Sequence, residues 1–149
     1  MKNLRLRFLF IIMAVFLSGC ISFRIAPPDW PDKNVDAFLF CRDVKEIESL
    51  LEPVGTDDVF STEETFVLAF VRLKDVSEKL SLRWKWYGPQ GNEIRDTGEV
   101  PVSDGTRYLE AVTAYDRIGV SLEKTPPGEY ITVLFINGTL SSKITFNLR

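Results

Sequence analysis

The sequence predicts an all-β domain, an antiparallel sandwich of about seven strands, and three observations carry that prediction. Short segments rich in Val, Ile, Phe and Trp recur across residues 36–149, Gly and Pro clusters separate them, and almost no stretch keeps a helical period. Strands alternating with long helices, as a parallel α/β fold requires, are excluded. With 45% hydrophobic and 26% charged residues the composition is that of an ordinary globular chain. About 130 residues bury roughly two-thirds of their unfolded surface, enough for one core, so no second domain is called for.

The elements follow in order. Residues 37–42 (AFLFCR) read as an edge or first strand. Over residues 43–51, Asp43 at an N-cap, Glu46 three positions on, and Ile47, Leu50 and Leu51 behind them predict a short capped helix. Residues 60–64 (FSTEE) read as a loop or a single helical turn. Residues 66–73 (FVLAFVRL) are apolar almost throughout, as in a central strand covered on both faces. Residues 80–87 alternate strictly, with Leu80, Leu82, Trp84 and Trp86 on one face and Ser81, Arg83 and Lys85 on the other. Gly88-Pro89-Gln90-Gly91 closes that strand as a turn. Residues 107–115 (RYLEAVTAY) form a further strand, and residues 118–122 a short continuation beyond Asp116. Pro126, Pro127 and Gly128 punctuate the chain before residues 130–136 (YITVLFI). Asn137-Gly138 is the pair a type I′ turn favours, and Ile144, Phe146 and Leu148 alternate inward after it, which makes a terminal hairpin.

The amino-terminal end has a different character. Lys2, Arg5 and Arg7 precede ten uninterrupted apolar residues, 8–17 (FLFIIMAVFL). A membrane-spanning helix needs about twenty, so residues 1–19 read as a cleaved signal peptide. Leu17-Ser18-Gly19-Cys20 resembles the bacterial lipobox: an apolar residue three before the cut, two small residues, then Cys. That resemblance implies that signal peptidase reads Leu17, Ser18 and Gly19, and that Cys20 becomes S-lipidated and then N-acylated. One acyl chain, at about 0.8 kcal/mol per buried methylene, holds a protein marginally, whereas two or three hold it durably. Ile21 stands where Asp would signal inner-membrane retention, which favours the outer membrane, facing periplasm or surface, if the host is Gram-negative. Residues 20–35, with Pro27, Pro28 and Pro31, read as a semi-rigid tether. Trp30 within it is read as a contact for the lipid interface, a partner or a ligand, or as a latch onto the domain.

Eighteen basic against 21 acidic residues give a net charge of −3; without residues 1–19 the balance is 15 against 21, or −6. Phosphate-neutralising nucleic-acid binding is therefore not expected. The absence of His removes the commonest general base and metal ligand. No phosphate-binding or dinucleotide fingerprint occurs, and no cofactor or metal is expected. Asp57-Asp58 and Glu63-Glu64 lack the ligand spacing of a calcium loop and read as solvated acids. Once Cys20 is lipidated Cys41 has no partner in the chain; within its apolar run it reads as a buried small side chain, with a redox thiol or an intermolecular disulfide as the alternatives. Asn137-Gly138-Thr139 matches a glycosylation triplet, but the turn needs the same Asn-Gly pair.

The run from Trp84 to Gly91, with Pro127-Gly128-Glu129-Tyr130 and Asn137-Gly138, resembles strands C, F and G of immunoglobulin-like or fibronectin-III-like bacterial envelope domains. The likeness covers about a third of the chain and implies the fold, not a role, because this architecture hosts many functions. The inter-sheet Cys pair of antibody domains is absent from it. The resulting expectation is a non-enzymatic, lipid-anchored envelope protein whose domain serves a protein partner or a structural role. The alternative is a glycan- or small-ligand-binding module using Trp30, Tyr87 or Tyr115.

Overall fold

The computed structural model describes residues 34–121 and 123–149. Residues 1–33, which include the expected signal peptide, the lipobox-like run ending at Cys20, and Trp30, lie outside the described residues. Eleven strands follow one another: β1 (Val35–Cys41), β2 (Asp43–Ile47), β3 (Leu50–Val54), β4 (Val59–Phe60), β5 (Phe66–Val76), β6 (Lys79–Tyr87), β7 (Glu93–Asp96), β8 (Val100–Asp104), β9 (Leu109–Gly119), β10 (Gly128–Ile136) and β11 (Thr139–Leu148).

They form an antiparallel sandwich. One sheet runs β1-β5-β9; the other runs β4-β11-β10-β6-β7, with β8 also paired to β6. Among the described strands only β4 and β11 pair in parallel. This is the immunoglobulin-like division, strands A, B and E against C, F and G, and it carries that fold's tyrosine corner. The Tyr130 hydroxyl, at the start of β10, donates to the Pro126 carbonyl at 2.7 Å. The resemblance read from Trp84 and Pro127-Gly128-Glu129-Tyr130 thus holds at the level of fold.

Alternation builds the core. Val67, Ala69, Val71 and Leu73 of β5 face Leu80, Leu82, Trp84 and Trp86 of β6, all buried as expected. Phe146 anchors the aromatic centre, stacked on Tyr130 at 5.0 Å and edge-on to Phe40 at 4.8 Å. Such pairs add about 0.5–1.5 kcal/mol each beyond the area they bury. Asn137 and Gly138 adopt φ of 49° and 75°, the two left-handed residues a type I′ turn requires.

Residues 43–51 depart from expectation: the capped helix is absent, and β2 and β3 make a hairpin with Val44 opposite Pro53 and Glu46 opposite Leu51. The hairpin lies over the outward face of the β1-β5-β9 sheet. There Val44 and Leu51 pack, with Leu39, on Cys41, Leu68 and Phe70. A period of two places both residues on one side, and this second apolar layer outweighs the local helix signal. The Leu51 amide donates to Thr113 Oγ1 at 2.9 Å, and Arg72 pairs with Glu52 at 2.6 Å, fixing the hairpin across the sheet. Its cover also explains why β5 is apolar on both faces.

Two further expectations change. Eleven strands replace about seven, the additions being this hairpin and the short β4, β7 and β8. Leu109 to Gly119 form one continuous strand through Asp116, with no break before Ile118. The strand continues because its inward carboxylate is fully answered, as described next; Leu122 lies outside the described residues.

Candidate functional site

Along β9 the inward positions are Val112, Ala114, Asp116 and Ile118, so the alternation that fills the core also drives a carboxylate into it. Asp116 is only 9% exposed. Its Oδ2 accepts from the buried Trp86 indole at 2.8 Å and from Arg95 Nε at 2.7 Å, while Oδ1 accepts from Arg95 Nη2 at 2.7 Å. Trp86 comes from β6 and Arg95 from β7, so this triad clasps one sheet to the other. Register sets it: Arg95 pairs with Trp86 and shares its inward side, while Asp96, opposite Lys85, faces out.

Outside the clasp, Asp96 receives hydrogen bonds from Arg83 and from the Gly98 amide, with Lys85 beside it at 3.3 Å. These hold its carboxyl well below the usual carboxylate range, the Arg83 bond contributing most.

A cleft of about 380 Å³ opens beside the Arg95–Asp116 pair. One wall is the β6–β7 turn, with Pro89, Asn92 and Ile94; the facing wall is the end of β9, with Arg117, Ile118 and Gly119. The β9–β10 loop closes the third side with Lys124, Thr125 and Pro126, above Tyr130. The charged side chains lining it, Arg95, Arg117 and Lys124, are all cationic. Arg95 has its Nε and Nη2 committed to Asp116, which locks its guanidinium in place. Arg117 is laid over the Phe66 ring, its Cζ 4.3 Å from the centroid. The loop is fastened within itself: the Lys124 and Thr125 amides donate to the Ser121 carbonyl at 3.0 and 2.7 Å, and Thr125 Oγ1 donates to the Gly119 carbonyl at 3.2 Å.

The positions singled out in the sequence fall elsewhere. Cys20 and the residues of the lipobox-like run before it, Leu17, Ser18 and Gly19, with Trp30, lie outside the described residues. Tyr87 is half-buried on the outward face of β6, paired with Ile131. Tyr115 is 42% exposed on the outward face of β9, in the other sheet, opposite Phe70. The two tyrosines therefore stand on opposite faces of the sandwich and form no common aromatic row. Trp84 and Trp86 are core residues. Cys41 is fully buried on β1, and burial pushes its thiol up to about 11, which keeps it protonated and inert at neutral pH.

The acidic pairs are organised around a cation. Arg42 reaches Glu64 Oε1 at 2.8 Å and Asp57 Oδ2 at 3.3 Å, with its guanidinium carbon 5.0 Å from the Phe60 centroid. Among the described residues, no group of three His, Cys, Asp or Glu side chains is placed to hold a metal ion.

Sequence reasoning missed Arg95, Asp116, Arg117 and Lys124. The one available signal was Asp116, a lone acid at an inward position of an alternating strand, which demands a partner from another element.

The sequence matches no family model and no curated protein. Among solved structures it is similar to the Pseudomonas fluorescens alkylpurine DNA glycosylase AlkC bound to DNA containing an abasic site analog, at 12% identity and a TM-score of 0.51. That match covers 78% of this chain, which spans 30% of the glycosylase chain. A second similar structure is an immunoglobulin-like protein from Pseudomonas aeruginosa, at 13% identity and a TM-score of 0.46, covering 78% of this chain and 95% of that one. At 12% identity the likeness to the glycosylase is one of fold alone.

Proposed function

We propose that this chain is a lipid-anchored bacterial envelope protein, held by acylated Cys20, whose sandwich is a non-enzymatic recognition domain directed away from the membrane. The anchor rests on the lipobox-like run Leu17-Ser18-Gly19-Cys20, and the orientation rests on the placement of the cleft relative to the point where the chain enters the fold. The Asn34 carbonyl accepts from the Lys74 amide at 2.9 Å, and Val35 pairs with Leu73, so the tether joins at the pole that also holds the Asn137-Gly138 turn. The cleft is formed at the other pole, where β6 and β9 end and β10 begins. A proline-rich spacer of this length has an upper reach of about 40 Å, enough to hold that pole clear of the headgroups.

The non-enzymatic part of the reading is supported by chemistry already committed to structure. Asp116, Asp96, Asp57 and Glu64 each hold an arginine, and the chain has no His. The net charge of the domain does not draw it onto anionic lipid, which leaves attachment to the acyl chains.

Metabolic labelling with a palmitate analogue tests the anchor: the wild type takes up label and sediments with membranes, and Cys20→Ala does neither. Label retained in Cys20→Ala removes the anchor. In lipidated protein reconstituted into vesicles, a fluorophore at Gln90→Cys is quenched less by bilayer-embedded quenchers than one at Gly138→Cys. The reverse order overturns the orientation.

A further inference from the structure

The cleft carries a charge opposite to that of the domain around it. The chain from Cys20 onward has a net charge of −6, yet the charged groups lining this cleft are three cations. A compact positive site on a negative surface focuses anions, and its walls decide which anion fits. Ile94, Ile118 and Pro89 supply apolar surface immediately beside Arg95 and Lys124. That combination suits a carboxylate attached to an apolar body better than a strongly hydrated phosphate, which asks for several converging amides.

Two arrangements prepare the site before any ligand arrives. Asp116 consumes Nε and Nη2 of Arg95, fixing the guanidinium while leaving its Nη1 without a protein partner among the described residues. Arg117 and Lys124 form no ion pair among the described residues, and no acidic side chain lines the cleft with them. Orientation is supplied by the first cation and net attraction by the other two.

We propose that this cleft binds a carboxylate carried on an apolar body, the chemistry of a peptide's carboxyl end, with the carboxylate among Arg95, Arg117 and Lys124 and the apolar group against Ile94 and Ile118. The inference rests on the recognition role proposed above and names its ligand class. Its test needs no membrane, so failure of the labelling experiment and failure of this one are separately visible.

The experiment is a nuclear magnetic resonance titration of the full chain in detergent micelles, following the Trp86 indole N–H and the Arg95 Nε–H, both bonded to Asp116. Acetyl-Leu-Phe with a free carboxylate is expected to move both signals saturably at millimolar concentration. Its carboxamide binds at least about tenfold more weakly. The Arg117→Gln/Lys124→Gln variant, with the dispersed spectrum of the wild type, loses about fivefold in affinity for the acid. Equal response to acid and amide, saturation by inorganic phosphate at the same concentration, an unchanged double variant, or no movement of either signal would each overturn the proposal.

Discussion

Replacing Arg95 by Met keeps the length and apolar stem of the side chain and removes its charge from a carboxylate that is 9% exposed. Asp116 then keeps the Trp86 indole as its remaining donor and loses two bonds of 2.7 Å. Removing one partner of a fully buried pair costs about 3–5 kcal/mol. The Arg95 side chain is 46% exposed, so water screens the pair and re-solvates part of the deserted carboxylate. That discount leaves about 2 kcal/mol. For a domain of this size 1 kcal/mol corresponds to about 4 °C, so Tm falls by about 8 °C. Circular dichroism melting of the full chain in mild detergent measures it.

A control makes the reasoning specific. In Arg95→Met/Asp116→Asn the amide still accepts from Trp86 but carries no charge, and about 1 kcal/mol returns. A Tm within about 2 °C of the wild type, or a deficit indifferent to Asp116→Asn, refutes the clasp.

Two further expectations stand apart from the cleft. Glu48 and Ser49 turn the β2–β3 hairpin at φ of 51° and 69°, values that suit Asn and Gly better, so Glu48→Asn/Ser49→Gly stabilises the hairpin by about 1 kcal/mol. Hydrogen exchange of the Leu51 amide, bonded to Thr113, should slow accordingly, and an unchanged or faster rate counts against the turn geometry. Asp96 has a depressed carboxyl pKa in the fold, so the unfolded chain binds its proton more readily. Its contribution is whole above the ordinary value of 3.8 and is lost as pH falls below it. Asp96→Asn should therefore lower stability on the neutral plateau and leave the acid end unchanged, which flattens the acid limb; an acid limb parallel to that of the wild type would contradict this.

What was legible in the sequence was what alternation writes locally. Leu80, Leu82, Trp84 and Trp86 share a face because the period is two, and Asn137-Gly138 turns the chain because both residues accept left-handed backbone. The continuous apolar run of β5 announced cover on both faces, yet nothing in it identifies the cover. Residues 43–51 carried an apparent capping box, while their packing surface, Leu68 and Phe70, belongs to a strand some twenty positions away. Glu48 and Ser49 gave no turn signal. The cleft was hidden for the same reason: Arg95, Asp116 and Lys124 have no local pattern in common, and only the meeting of three elements makes them neighbours.

The fastening of the β9–β10 loop has one more consequence. Thr125 ties it to Gly119 at one side and the Tyr130 hydroxyl ties it to Pro126 at the other, so Lys124 sits beside two anchored residues. Its position is inherited from the sandwich. Because Tyr130 also stacks on Phe146, substitutions that loosen the aromatic centre are transmitted to this loop and to the cleft wall it forms.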